Sequence, residues 1–383
     1  MGLDEFLNQL PEDDDESVNY ASLPELSKLT GPEAEEFGQL WLEWSPERVL
    51  EIVDRMVSLC EEQPDVEFEA IYKQGLQHPS AVVRLSGLRG LEESSDRALI
   101  TPLSNMLLTD PSVEVRAASA VPLTYLSAMA QEKKLGSKDG VLLTRVLYGV
   151  LDDEREVQDV KLKALEAVSV FGGDRLAPYI ESAASSPNID ALKSSLFAMG
   201  RACDPRWIDN VLPYLEHDVA SIRYEAAMAM GELGDEEHLR ALEVPLDDAD
   251  LTVQLAAISA VERIGGDVAK SLLEQLRVSP EPRVVELVQE ALQRMKDEED
   301  LGEVVTQEMA RSMFGAGDTL PGVDTEGYEP AEIEGWANLP DPSEVDDFGT
   351  GITEEAEELG LDRGDPFDID LPPEDPWDHE ENI

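Results

Sequence analysis

The sequence predicts an all-α solenoid of repeated helix pairs, followed by an acidic tail that does not fold on its own. Three observations carry this. An apolar pattern returns every 31 residues through the middle of the chain. Alanine occupies one position of that pattern five times running. Aromatic residues are only 5% of the 383, against 42% hydrophobic residues overall, a balance that suits packed helices better than sheets.

Val160, Ala191, Ile222, Val253 and Val284 stand 31 residues apart. Four positions further on are Ala164, Ser195, Ala226, Ala257 and Val288. At seven come Ala167, Ala198, Ala229, Ala260 and Ala291, and at eight Val168, Met199, Met230, Val261 and Leu292. Phe171, Ala202, Leu233, Ile264 and Met295 complete the series at eleven. On a helix of 3.6 residues per turn these offsets fall on one narrow stripe, and the small alanine lets a neighbouring helix approach closely. Turn residues follow: Gly172-Gly173, Cys203-Asp204, Gly234-Asp235 and Gly265-Gly266. Glycine there accepts the left-handed conformation that ends a helix. A first helix precedes each stripe, at Leu176–Ile180, Trp207–Leu212, Leu239–Leu242 and Val268–Leu273, so each unit reads helix, turn, helix, turn.

Two earlier units centre on Val83-Arg84 and Val115-Arg116, after His78-Pro79 and Asp110-Pro111. The step from Val115 to Val160 is 45, about 14 residues too long, and the polar stretch Gln131–Gly140 is the expected insertion, a loop. Residues 33–62 read as two more helices. Ser45-Pro46 supplies an N-cap and a first-turn proline, and Val49, Ile52, Val53, Met56, Val57 and Cys60 line one face. The expected organisation is therefore a disordered acidic leader at 1–32, a solenoid of about seven units plus an N-terminal pair at 33–300, and a tail at 301–383. One helix is expected at 303–314 and disorder beyond it, where Pro, Gly, Asp and Glu dominate.

The formal net charge is -55. Residues 1–36 carry eleven acids and one base, and residues 301–383 carry 25 acids and two bases. Such a chain repels nucleic-acid phosphates and anionic membranes, so neither is an expected partner. It attracts basic proteins, or the charge serves solubility in a salty cytoplasm; both readings stay open. No apolar run approaches the ~20 residues that span a bilayer, and the start lacks a signal peptide's basic region and apolar core. A cytoplasmic protein is expected. Cys60 and Cys203 form neither a disulfide framework nor a zinc spacing and are expected as buried thiols.

The run Ser221-Ile222-Arg223-Tyr224-Glu225-Ala226-Ala227-Met228-Ala229-Met230-Gly231-Glu232-Leu233-Gly234-Asp235 resembles the second helix of HEAT-like repeats of the phycobilisome-lyase type. Pro111–Ala118 resembles the same element, and the resemblance extends over roughly residues 66–297. It implies an α-α superhelix. It is weak for function, because the family holds scaffolds, bilin lyases and the di-iron enzyme deoxyhypusine hydroxylase. The hydroxylase uses several His-Glu pairs to hold iron. Among His78, His217, His238 and His379, only His379-Glu380 makes such a pair, so that activity is not carried over. No residue set for bilin attachment is present either.

No Gly-rich phosphate loop, nucleophile elbow or Cys/His arrangement occurs; no catalytic, metal or cofactor residue is assigned. The basic residue opening several second helices (Arg84, Arg116, Arg223, with Lys161) forms either a binding line or a structural ladder to an Asp or carbonyl of the preceding turn, Asp110 or Asp218. Offsets two and six point away from the core stripe. They bring Phe197, Tyr224, Met228 and Leu255 into one patch on the concave surface, either a protein-binding site or inter-repeat packing. Trp336 and Trp377 in the tail are recognition elements, residues that dock on the solenoid, or incidental. The expected function is a non-catalytic protein-binding scaffold or adaptor using the concave face and the tail, with a protein partner that is basic where the charge serves recognition. The alternatives are a bilin-lyase-like enzyme or accessory and a chaperone-like binder of basic proteins.

Overall fold

A computed structural model describes residues 2–8, 20–27, 29–63 and 65–297. The chain divides into two units, Met1–Gly315 and Ala316–Ile383; all described residues lie in the first. The expected helix at 303–314 and the tail, with Trp336 and Trp377, lie outside the described residues.

The apolar stripes become helices. α1 (Gly2–Leu7) precedes a 3₁₀ segment at Tyr20–Leu26. A first pair follows, α2 (Gly31–Trp41) and α3 (Pro46–Glu62). Next come α4 (Glu69–Gly75) with α5 (Ala81–Arg89), and α6 (Ile100–Thr109) with α7 (Val113–Gln131). Then α8 (Ser137–Asp152) pairs with α9 (Gln158–Val168), and α10 (Ala177–Ala184) with α11 (Ile189–Arg201). α12 (Ile208–Val211) pairs with α13 (Ala220–Leu233), and α14 (Glu243–Leu246) with α15 (Leu251–Ile264). α16 (Gly266–Gln275) and α17 (residues 282–297) close the described part. Second helices pack on second helices: α3 on α5, α5 on α7, and so on through α9, α11, α13 and α15. The result is an all-helical repeat solenoid. Among the described residues, no helix is long and apolar enough to cross a membrane.

Side-chain caps start several of the second helices, where the turn ends in Ser, Asn or Asp. The Ser45 hydroxyl accepts from Arg48 N at 3.3 Å, Asn188 from Asp190 N at 2.8 Å and Asp250 from Thr252 N at 2.9 Å. The stripe then faces inward. Val160, Ala191, Ile222, Val253 and Val284 are fully buried, as are the residues four positions on, and the five repeated alanines are buried too.

The alanine row has a partner row that the periodicity did not single out. Gly200 and Gly231 lie nine positions along their stripes. A Cβ on Gly200 would stand 2.9 Å from Ala229 Cα, and one on Gly231 2.8 Å from Ala260 Cα. Backbone therefore meets backbone between α11 and α13 and between α13 and α15. Helix ends differ from one unit to the next. Gly172-Gly173 and Gly265-Gly266 take positive φ, and Cys203 does so without being glycine, but Gly234 is extended at φ -75°.

The opening arginines are structural, with a longer reach than the sequence suggested. Arg84 Nη1 donates to His78 O and Pro79 O at 2.8 and 2.9 Å in its own turn. Its other nitrogens grip Asp110 of the next turn at 2.8 Å each. Arg223 donates to His217 O and Asp218 O, and grips Asp248 at 2.6 and 2.8 Å. Arg116 joins Asp110 O to the Glu156 carboxylate. The preceding turn supplies carbonyls and the following turn supplies the carboxylate. The turn residue also accepts the amide two residues on: His78 from Ser80, Asp110 from Ser112, Ser186 from Asn188, His217 from Val219, Asp248 from Asp250 and Ser279 from Glu281.

Four expectations are corrected. The extra residues before Val160 are not a loop. They lengthen α7 and α8, leaving a connection of residues 132–136 in which Lys133 takes φ 59°. The polar stretch hid this because Ser137 and Lys138 begin a helix whose third residue, Asp139, caps Gly136 N at 3.1 Å. The leader at 1–32, expected to be disordered, is packed where it is described. Leu3, Phe6, Leu23 and Leu26 are buried, and the Phe6 ring lies 6.2 Å from that of Phe37, so these apolar side chains cover the open end of the first pair. Cys60 is half-buried and Cys203 is exposed, because Cys203 occupies a helix-ending turn rather than a helix face. Several first helices are short and partly 3₁₀, at Pro205–Trp207, Leu212–Glu216 and Glu236–Leu242; prolines at 205 and 213 remove amide donors there.

Two stability predictions follow from these contacts. Gly231→Ala forces a Cβ against the α15 backbone and is expected to destabilise by ~1–3 kcal/mol. Gly149→Ala on α8, with open space around it, is expected to stabilise by ~0.4–1 kcal/mol; urea unfolding of the two variants checks both signs. Arg223 holds the Asp248 carboxyl below its ordinary pKa. That contribution is complete above the unfolded value near ~4 and fades as pH falls through the lower folded value. Asp248→Asn is therefore expected to cost ~1–3 kcal/mol at pH 7, with the gap to the parent closing in melts run below that range.

Candidate second-helix face

Stacking in register places equivalent residues of successive second helices side by side. Offset two gives Lys193, Tyr224, Leu255 and Glu286; offset six gives Glu166, Phe197, Met228, Ser259 and Glu290. On α13 the large side chains emerge, Tyr224 and Met228 each being 37% exposed, one turn apart on one face. Phe197 on α11 is half-buried. Leu255 on α15 is half-buried and packs against the core, so at that position the inter-repeat packing reading holds. The face thus brings Tyr224 and Met228 to the surface between two partly covered neighbours. A cavity of about 340 Å³ borders Met228, floored by Gly231 and Ala260 and reached by Met295 and Glu232.

The charges on this face are largely matched internally. Lys163 Nζ meets Glu166 at 2.7 Å, and the Ser194 hydroxyl donates to the same carboxylate at 2.5 Å. Glu232 lies between Arg201 at 3.5 Å and Arg263 at 2.8 Å. Arg294 grips Glu262 at 2.5 and 3.0 Å. Offset ten spells this ladder in the sequence as Arg201, Glu232, Arg263 and Arg294, a readable signal that the apolar pattern overshadowed. Lys193 stands 3.8 Å from Asp190.

Glu225 is different. Among the described residues its carboxylate has no ion pair or hydrogen bond. Burial, only partly countered by Lys193 and Lys163 and reinforced by Glu166, pushes it up to about 7. Nothing in the sequence marks it, one acid among 84 Asp and Glu.

The described histidines are engaged locally. His78 and His217 accept backbone amides, and His238 pairs with Asp235 at 2.8 Å. Among the described residues no group of three or more His, Cys, Asp or Glu is placed to hold a metal ion, so these residues do not fit an iron centre.

Residues 176–260 and 220–293 match the family described as HEAT repeats. Deoxyhypusine hydroxylase of Candida albicans is 20% identical over 201 residues, covering 47% of this chain and 63% of that protein. The chain thus spans less than two thirds of that relative's length. The structure of human deoxyhypusine hydroxylase in complex with glycerol is 17% identical, over 70% of this chain and 97% of that one, with a TM-score of 0.32. An engineered protein is 20% identical over 53% of this chain and 98% of its own, with a TM-score of 0.34. The HEAT match falls on the helix pairs that carry the stripe, and the fold is an all-helical HEAT/armadillo-like repeat solenoid.

Proposed function

We propose that the chain is a non-catalytic protein-binding scaffold or adaptor whose second-helix face receives the partner. HEAT repeats in general engage proteins, and the observation that carries the reading for this chain is the exposed pair Tyr224 and Met228. Met228 lines a cavity, and the neighbouring residues of the two rows include Ser259, the half-buried Phe197 and Leu255, and the paired Glu166 and Lys193. Aromatic and methionine side chains supply contact area at low entropic cost. The charge of -55 favours a basic partner, steering it by long-range attraction. The tail, with Trp336 and Trp377, is a second contact in this reading.

The resemblance of Ser221–Asp235 to phycobilisome-lyase-type repeats supports a bilin-handling role as the alternative. A shifted bilin absorbance band on mixing would favour it.

The deciding experiment is affinity capture from native lysate with the full chain, residues 1–314 and Tyr224→Ala/Met228→Ala. The expected outcome is a partner retained by the truncation and reduced at least about tenfold by the double variant, a loss of ~1.4 kcal/mol. A partner lost on truncation and indifferent to the double variant moves the function to the tail.

A further inference from the structure

Glu225 lies three residues before Met228 and so borders it on the surface of α13. A half-buried carboxylate without a partner is costly, and this one has none among the described residues. Its charged surroundings are Lys193 on α11 and Lys163 with Glu166 on α9. Lys163 is committed to Glu166, and Lys193 leans towards Asp190. On α15, Glu262 and Arg263 sit at the far end of the helix, tied to Arg294 and Glu232. On α13 itself Arg223 is held by Asp248, and Glu232 by two arginines.

The bases of the face are thus engaged with carboxylates. An acidic segment docking here would have to break one of these pairs, whereas a cation finds an open acceptor. Charge complementarity therefore selects the partner.

We propose that Glu225 is the cation acceptor of a docking surface for a partner segment that places a Lys or Arg beside an aliphatic or aromatic anchor, the anchor resting on Phe197, Tyr224 and Met228. This rests on the scaffold reading above and gives it a partner chemistry. Its consequence is proton linkage. The cation binds the ionised carboxylate, so docking near neutral pH expels a proton from Glu225. Affinity then follows the ionised fraction, which rises about tenfold between pH 6 and pH 8 for a group titrating near 7.

The test uses the full chain and three dye-labelled heptapeptides read by fluorescence anisotropy at pH 6, 7 and 8. One peptide alternates leucine and lysine, the second replaces lysine by glutamate, and the third replaces leucine by serine. The leucine–lysine peptide is expected to bind tightest and to gain about tenfold from pH 6 to pH 8. Glu225→Gln is expected to hold its affinity near the parent's pH 6 level at every pH, while Glu225→Asp keeps the pH dependence. Tyr224→Ser/Met228→Ser is expected to lose about tenfold at all three pH values.

Unchanged pH dependence in Glu225→Gln, or equal binding of the glutamate peptide, overturns the assignment of Glu225. The scaffold reading survives that result when Tyr224→Ser/Met228→Ser still weakens binding. Indifference to both variants sinks both readings and leaves the peptide on the acidic tail. A concentration-dependent dimer that Met228→Ser abolishes overturns the proposal in favour of a second copy on this face. Circular dichroism melts of the variants, matching the parent, assign the losses to docking rather than to folding.

Discussion

The structure depends on how closely one second helix approaches the next. Gly200 against Ala229 and Gly231 against Ala260 leave no room for a single added carbon. Such contacts fix both the spacing and the register of α11, α13 and α15. Register is what matters for function. A shift of one residue along a helix turns a side chain by about 100°, so Tyr224 and Leu255 share one row, and Phe197 and Met228 another, only because the small-residue contacts are met. Gly231 and Ala260, which make one of these contacts, also line the cavity beside Met228.

The arginine links are a second kind of contact between repeats. Each ties the start of its own second helix to the turn of the following repeat, as Arg84 does with Asp110 and Arg223 with Asp248. They are not continuous. Leu192 stands at the equivalent position of α11, and Gln254 of α15 donates only to Leu246 O at 2.7 Å. Nearest-neighbour coupling is the basis of stability in a repeat array, so coupling through charges varies along this one while coupling through small residues spans the central units. α13 has both: its arginine clamps the next turn and its glycine meets the next helix. The exposed pair therefore sits on a firmly held element, which lowers the entropic cost of presenting it.

The helix pairs and the inward stripe were legible because one residue spacing served two purposes, the 3.6-residue turn and the 31-residue unit. Where the unit length changed, the reading failed. The stretch Gln131–Gly140 looks like a loop by polarity, yet Ser137 onwards is helix, because exposed helix faces are polar as well. The leader failed for a related reason. Leu3, Phe6, Leu23 and Leu26 are too few to signal a core alone, and they are buried only because Phe37 and Trp41 offer an open face. For the site, Tyr224 and Met228 were legible as residues turned away from the stripe. Leu255, at the same offset as Tyr224, was not separable from them, since its burial depends on how neighbouring helices tilt rather than on sequence spacing.

Glu225 was illegible for the deepest reason. Its environment is a property of what is absent around it. In a chain with 84 acids and 29 bases, the excess of carboxylates is expected to be solvated, and most gain nothing from a specific cation. The bases on the second-helix face are nearly all spent on Glu166, Glu232 and Glu262, and Glu225 is left half-buried beside the apolar pair with no base of its own. A surface that pairs most of its bases and leaves one half-buried carboxylate without an ion pair is a more selective device than a uniformly acidic one. In the proposed reading, long-range charge gathers a basic partner to the chain, screened within about 8–10 Å at physiological salt. Discrimination then falls to the short-range requirement for a cation and an apolar side chain at the spacing set by α13.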